Sequence, residues 1–275
     1  MVLNIITSSK NCRISLKMQV FPLQIVTVPT LLDNYCYLLH DEISGSTAVV
    51  DPGDADAVET VLAGRHWKLT HILNTHHHLD HINGNLILKK NHNAILIGPK
   101  AEISRIPNLE IPLVEGSTYD FAGHIVSILE TPGHTIGHIS LYFADSQALF
   151  TGDTLFSLGC GKMFEGTARQ FLDSLFKLSK LPDSTKIYCG HEYTASNARF
   201  AISIDYSNED LKKRSKEVNE LLDNNQPTVP SLLSIEKATN PFLRIKDPKI
   251  ALAIGKSGAD PVEIFAELRM LKDNF

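Results

Sequence analysis

The sequence predicts an α/β fold, a domain of layered sheets followed by a helical segment, and three observations carry that prediction. Short runs rich in β-branched and aromatic residues recur from Phe21 to Cys189, each bounded by Gly, Pro, Asn or Asp. Stretches with apolar residues at helical spacing alternate with those runs, as layered α/β domains require. After about residue 194 the strand-like texture gives way to amphipathic helical patterns.

Taken in order, the expected strands are Phe21–Val28, Asn34–Leu39, Ser46–Val50, His71–Leu73, Ala94–Ile97, Ile125–Leu129, Ser140–Phe143, Ala148–Phe150 and Lys186–Cys189. Helices are expected at Ala55–Ala63 behind a DPGD turn, at Gly84–Lys90, and at Arg169–Leu178. Asp210–Asn224 places Leu211, Val218, Leu221 and Leu222 on one face with charges opposite, and a PTVPS linker is expected after it. The last helix opens on Asp260-Pro261-Val262-Glu263, an N-cap followed by Pro at the first helical position. Its apolar stripe is Ile264, Phe265, Leu268 and Leu271. Residues 1–17 carry Lys10, Arg13 and Lys17 and no acid. They read as an N-terminal extension, a disordered tail or an upstream start before Met18, with a transit peptide as the lesser reading. The expected domains are therefore 1–17, 18–194 and a helical 195–275.

Composition narrows the function classes. The 275 residues include 26 basic and 31 acidic side chains, a net charge of −5, and 43% hydrophobic content, which is ordinary for a globular chain. No apolar run approaches the ~18–20 residues needed to cross a bilayer, so no membrane span is expected. Acidic charge disfavours nucleic acid as a partner. Cys12, Cys36, Cys160 and Cys189 are scattered without a CxxC pair, which suits a reducing, cytoplasmic setting and argues against a thiolate metal site. All of the net charge belongs to residues 1–194, because residues 195–275 contain 12 basic and 12 acidic side chains.

Histidine is the anomaly: five of twelve lie between His71 and His81. The run Asn74-Thr75-His76-His77-His78-Leu79-Asp80-His81 follows a short strand and precedes a turn into a helix. Imidazoles and carboxylates ligate borderline-to-hard divalent metals, and a strand-end loop can converge several of them on one small volume. His76 and His78 point to the same side of an extended backbone; Asp80 and His81 come as the chain turns and suit a second metal. Three more strand ends offer ligands: Thr131-Pro132-Gly133-His134-Thr135, Thr151-Gly152-Asp153-Thr154 and Cys189-Gly190-His191-Glu192. Each alone is an ordinary turn or cap pattern. Together they supply the two His and one Asp that complete a dinuclear site.

THHHLDH, TPGHT, GDT and GHE in this order resemble the metallo-β-lactamase superfamily, whose fold is an αβ/βα sandwich of two mixed sheets flanked by helices. Within it the chain resembles the glyoxalase II (hydroxyacylglutathione hydrolase) family, which adds an all-α C-terminal domain. That likeness extends through GDTLF, the block Gly159-Cys160-Gly161-Lys162-Met163-Phe164-Glu165-Gly166, GHEYT, NPFLR and the ending Arg269-Met270-Leu271-Lys272-Asp273. The resemblance implies one metal on His76, His78 and His134, another on Asp80, His81 and His191, and Asp153 bridging both. It implies glutathione contacts at Lys162, Tyr193, Arg269 and Lys272, with Phe164 where some members have Tyr. The implied reaction is hydrolysis of S-D-lactoylglutathione to D-lactate and glutathione by a metal-bridged hydroxide, with Asp80 and Asp153 as catalytic carboxylates. Two divalent ions are implied, zinc first, although the same ligands suit iron or manganese.

Such a metal pair lowers the pKa of bound water from 15.7 towards ~7. A thioester has a good leaving group, so no strong general acid is required of the sequence. Arg269 and Lys272, three apart on the last helix, flank its apolar stripe and can face one groove. His77 is expected to pack on the far side of its loop, His138 to be structural, and His40, His66, His92 and His124 to sit in surface-like contexts. Cys160 and Cys189 read as packed thiols, and Asp51 as a turn residue behind a ligand. The alternative is a glutathione persulfide dioxygenase of the same superfamily with a single iron. A monomer acting on a small glutathione derivative is the expected assembly.

Overall fold

A computed structural model describes residues 21–275; the 1–17 extension and the restart at Met18 lie outside the described residues. Two six-stranded sheets face each other. The first runs in chain order through β1 (Gln24–Thr30), β2 (Asn34–His40), β3 (Ser46–Val50), β4 (Lys68–Leu73), β5 (Ile95–Pro99) and β6 (Ile111–Leu113). Its outer face is covered by α1 (Ala55–Arg65) and α3 (Asn85–His92), with the single turn α2 (Leu79–Ile82) between β4 and α3. Asp54 caps α1 by accepting from the Asp56 and Ala57 amides, as the DPGD turn suggests.

The second sheet contains β7 (Thr118–Phe121), β8 (His124–Glu130), β9 (Ile139–Phe143) and β10 (Ala148–Gly152). After the small hairpin β11 (Leu155–Phe156) and β12 (Gly159–Cys160), helix α4 (Ala168–Ser179) leads to β13 (Lys186–Cys189), which joins the sheet parallel to β10. Helices α5 (Thr194–Ile204) and α6 (Glu209–Asp223) follow, then strand β14 (Ser231–Leu232) and helices α7 (Leu233–Thr239), α8 (Pro248–Ala253) and α9 (Pro261–Asp273). The αβ/βα sandwich expected from the resemblance is the fold observed.

Tyr37, Phe121, Phe143, Phe150 and Tyr188 fill the space between the sheets. A second core joins α4 and the outer face of the second sheet to Phe200, Phe242, Phe265 and Leu268 of the C-terminal segment. Strand direction places the chemistry. Strands β3, β4 and β5 are mutually parallel, and β8 runs antiparallel to β9, which is antiparallel to β10, itself parallel to β13. Six carboxyl-terminal strand ends therefore open on one edge of the sandwich, and the loops that leave them carry all the predicted ligands.

Several local expectations change. The PTVPS segment is no linker: Thr228, Val229 and Ser231 are buried, Thr228 donates to Glu192, and Ser231–Leu232 becomes an edge strand on β13. His124 is buried between Asp145 (2.7 Å) and Asp41 (3.4 Å), tying the two sheets at their far edge. His40 is buried, stacked on Trp67 and 2.9 Å from the Thr47 hydroxyl. His92 pairs with Glu59, and only His66, the left-handed C-cap of α1, is exposed as expected. Polar residues in short strands look like surface in a sequence because their partners lie elsewhere in the chain.

Glu236 of α7 is fully buried and holds the C-terminal segment to the hairpin of the sandwich. It accepts from the Ser157 hydroxyl, the Leu158 amide, the Ser231 hydroxyl and the Asn240 amide, while Asn240 donates to the carbonyls of Phe156 and Gly159. Burial raises its carboxyl above the usual range, only partly offset by bonds from Ser231, Leu158 and Asn240. The folded protein therefore binds this proton more tightly than the unfolded chain. Its contribution favours folding below the unfolded pKa of ~4.3 and is lost as pH rises through the folded value. Glu236→Gln, whose amide can donate to the two hydroxyls, is expected to gain stability relative to wild type between pH 4 and 7 in urea titrations. An unchanged difference across that range contradicts this reading. Glu236→Ala should cost roughly 3 kcal/mol, because two buried N–H donors lose their acceptor at ~1–3 kcal/mol each.

Candidate metal centre

The loop after β4 turns sharply because Asp51 clamps it. Asp51 accepts from the Thr75 amide (2.8 Å) and hydroxyl (2.6 Å), and its Oδ2 lies 3.3 Å from Nδ1 of His81. His76 and His78 then point inward with ring centres 4.7 Å apart, while Asp80 and His81 sit on the single turn α2. His134 arrives from the loop after β8, Asp153 from β10 and His191 from β13. The donor atoms fall into the groups His76, His78, His134 and Asp80, His81, His191. A third compact grouping joins Asp51 to His76 and His81 behind them.

Asp153 lies between the two main groups. Its Oδ2 is 3.3 Å from Nε2 of both His134 and His191, and its Oδ1 is 3.4 Å from Nε2 of His81. Asp80 Oδ2 is 3.4 Å from Nε2 of His81 and of His191. The backbone makes room for these approaches. Gly152 has φ +45°, and a Cβ there would meet the Thr75 hydroxyl at 2.3 Å and His138 at 2.7 Å. A Cβ on Gly190 would strike Asp153 Oδ1 at 2.4 Å.

The outward nitrogens of most imidazoles are engaged, which fixes the ring orientations. Nδ1 of His134 lies 2.8 Å from the Lys162 carbonyl, Nδ1 of His191 lies 2.8 Å from Asp33, and Nδ1 of His76 lies 3.0 Å from the Thr75 hydroxyl. Asn34 donates to Asp80 Oδ2 at 2.9 Å. Asp33 and Asn34 escape sequence reasoning because they read simply as a strand boundary, Asn34 opening the strand and Asp33 just before it. His138 is not a ligand: its Nε2 accepts the Asp153 amide at 3.1 Å, and its Nδ1 faces the hydroxyls of Thr131 and Thr154. His77 turns away from the cluster, with Nδ1 2.8 Å from Glu102. Cys160 and Cys189 are buried free thiols, as expected.

The chemistry of this donor set fits divalent cations. His76 Nε2 and Asp153 Oδ1 are buried without a hydrogen-bond partner. Imidazole nitrogens face one another at 2.9 Å (His78 and His134) and 3.4 Å (His81 and His191). Donors at roughly 2.0–2.1 Å around one tetrahedral ion stand about 3.3–3.4 Å from each other, close to most of these separations. Electrostatics agrees. Burial opposes charge on His81 and His191, yet Asp153 and Asp80 outweigh it, lifting His81 well above its ordinary range and His191 to about 10. Burial would also raise Asp153, but His81 and His191 hold it far below the carboxylate range. Two carboxylates in an imidazole cage thus draw in positive charge. On the other side burial, reinforced by neighbouring imidazoles, depresses His78 to about 4 and His76 well below normal, leaving both rings as neutral donors.

A cleft of about 780 Å³ opens beside the cluster and is lined by His78, Asp80, His134, Asp153 and His191. Lys162, Phe164, Tyr193, Arg269 and Lys272 line the same cleft, so the structure brings every predicted site residue to one place or its immediate backing. Phe164 sets its ring edge-to-face against His78 and His134, and Tyr193 stacks on His191 at 4.7 Å. Lys272 Nζ is half-buried and contacts Ser196 at 3.0 Å. Arg269 differs from an open cation: it is buried, donates to the Cys160 carbonyl (2.8 Å) and pairs with Asp273 (3.1 Å). Its charge borders the cleft while its hydrogen bonds hold the GCGK segment.

Residues 29–191 match the family model described as metallo-beta-lactamase superfamily, and residues 192–275 match hydroxyacylglutathione hydrolase C-terminus. The hydroxyacylglutathione hydrolase of Ruegeria pomeroyi is 48% identical over 92% of this chain and all of its own length. The chain belongs to the hydroxyacylglutathione hydrolase family. That of Methylococcus capsulatus is 47% identical over 92% of this chain and 99% of its own. Among solved structures, a metallo-beta-lactamase from Staphylococcus aureus has the same fold, with TM-score 0.63, 21% identity, and coverage of 92% of this chain and 72% of that one. ETHE1 from Myxococcus xanthus aligns at 27% identity with TM-score 0.56, covering 79% of this chain and 96% of its own. Like its family, the chain is a hydrolase with a divalent-metal site. Among the described residues no helix is long and apolar enough to cross a membrane.

Proposed function

We propose that the protein hydrolyses S-D-lactoylglutathione to D-lactate and glutathione. The carrying observation is a single cleft that joins a seven-residue His/Asp cluster to a cationic wall, in a chain whose C-terminal part matches the hydroxyacylglutathione hydrolase model. His76, His78 and His134 would hold one divalent ion, Asp80, His81 and His191 a second, with Asp153 between them; zinc is the first choice, iron or manganese the alternatives. Bound there, the ions would supply an activated water at neutral pH and stabilise charge on the acyl oxygen.

The protein's own groups do the rest. Lys272 and Lys162, backed by the charge of Arg269, grip the carboxylates of the tripeptide and set the thioester over the cluster. Phe164 and Tyr193 wall the cleft and fix the imidazoles they touch. Asp80, its side chain 39% exposed and oriented by Asn34, can take a proton from the attacking water. An oxygen–carbon bond forms, the carbon–sulfur bond breaks, and the departing thiolate accepts the proton. The 18–194 segment would then be the catalytic domain and 195–275 the substrate-binding one, in a cytoplasmic monomer whose described cysteines are free. The persulfide dioxygenase reading is disfavoured, because both segments of the chain match along the full length of hydrolase relatives.

Lys272→Ala is expected to raise KM for the thioester about tenfold or more at nearly constant kcat, since hydrogen bonds to charged groups contribute ~1.5–3 kcal/mol. A fall in kcat at unchanged KM would contradict the assignment of Lys272 to binding.

A further inference from the structure

A buried carboxylate outside the metal cluster connects three of the loops that build it. Glu102 ends the short 3-10 turn Lys100–Glu102 after β5 and has no exposed surface. Its Oε1 accepts from the Thr135 hydroxyl at 2.8 Å and the Gly137 amide at 3.1 Å, so it grasps the loop of His134 on the C-terminal side of that residue. Its Oε2 lies 2.8 Å from Nδ1 of His77, the residue between His76 and His78. The same oxygen is 2.6 Å from the Arg105 guanidinium, whose other nitrogen pairs with Glu165. Glu165 in turn accepts the Ile136 amide at 2.8 Å and sits in the loop that carries Lys162 and Phe164. The fit is close, since a Cβ on Gly137 would stand 2.7 Å from Glu102 Oε1.

We propose that Glu102 is a positioning residue that sets His134 against the His76–His78 pair and, through Arg105 and Glu165, sets the Lys162–Phe164 loop over them. Glu102 touches the two metal loops directly and reaches the third through Arg105 and Glu165, which itself accepts the Ile136 amide and lies 4.0 Å from Nε2 of His77. A hydrophobic residue at 102 would leave the Thr135 hydroxyl, the Gly137 amide and the Arg105 charge without their acceptor, at the point where three imidazoles must converge. The effect is directional: one ligand group depends on Glu102, whereas Asp80, His81 and His191 are oriented by Asp51, Asn34 and Asp33 instead.

The inference rests on the metal assignment above, and its test separates the two. Zinc-loaded wild type and Glu102→Gln are mixed with a chromophoric chelator, and zinc release is followed over time. With its oxygen toward Thr135 and Gly137 the glutamine keeps their acceptor but turns an NH2 toward Arg105 and His77. One zinc equivalent is expected to leave about ten times faster than in wild type, the other at the wild-type rate, while kcat falls 10–100-fold at similar KM. Arg105→Met keeps the contacts of Glu102 to both metal loops and frees only the Glu165 loop. It is expected to raise KM three- to tenfold with zinc release unchanged, and it supplies the test if Glu102→Gln fails to fold. Wild-type release and kcat in Glu102→Gln, or equal acceleration of both equivalents with a lowered melting temperature of the metal-free protein, overturns the proposal. So does an Arg105→Met protein with wild-type KM. A wild type that binds zinc but leaves lactoylglutathione intact defeats the proposed function and leaves the release experiment standing.

Discussion

Asp153→Asn loses thioester hydrolysis by a factor on the order of 10²–10³ or more, the cost of removing a group aimed at the reacting centre. Three imidazole nitrogens from two ligand groups lie within 3.3–3.4 Å of its carboxylate. An amide at this point keeps the shape but removes the charge that both groups share, and it turns an NH2 toward rings that already offer lone pairs. The variant should also bind fewer than the wild-type number of metal ions, read by elemental analysis of the dialysed protein. Its fold should survive, because the Asp153 backbone is held independently by His138 and by the Gly190-to-Gly152 hydrogen bond. Full activity with unchanged metal content would remove Asp153 from the centre of the mechanism.

Metal removal has the second large effect, and it acts on activity and stability together. The cluster places imidazoles and carboxylates in contact inside the fold, and without cations His81 and His191 compete to hold protons beside Asp153 and Asp80. Chelation should therefore abolish turnover and lower the melting temperature. An ion present at 100 times its Kd stabilises by ~2.7 kcal/mol, and a chain of this size shifts by ~2–4 °C per kcal/mol, so the decrease should be roughly 5–10 °C. Adding zinc back should restore both. A chelated protein with ordinary activity would show that hydrolysis proceeds without the cluster.

Much of this centre was legible because its ligands lie in short, dense motifs. THHHLDH and GDT each place donors next to residues that force a turn, and the alternation of His76, His77 and His78 told apart the inward and outward rings. Of what supports those donors, Asp51 behind His81 was legible and the more distant partners were not. Asp33 reaches His191 across 158 positions, and Glu102 reaches Thr135 across 33, so no local pattern marks them. The same blindness hid the burial of His124, whose partners Asp41 and Asp145 come from different sheets. The helix expected at Asp210–Asn224 was readable from its apolar face and the last helix from its Asp260 cap; they run Glu209–Asp223 and Pro261–Asp273, and the Asn208 cap, which accepts from the Leu211 amide, was not read. Strands of two or three residues, such as Ile111–Leu113 and Ser231–Leu232, are too short to show a period. Arg269 is read as facing a groove beside Lys272, because a sequence shows its charge but not the backbone carbonyls that occupy it.

The central claim is that this cleft cleaves a glutathione thioester with water. Incubating the metal-replete protein with S-D-lactoylglutathione, while measuring free thiol and D-lactate in the same sample, tests it most directly. One thiol and one D-lactate are expected for each thioester lost, with no oxygen consumed. An intact thioester, alongside oxygen uptake on glutathione persulfide, would contradict it.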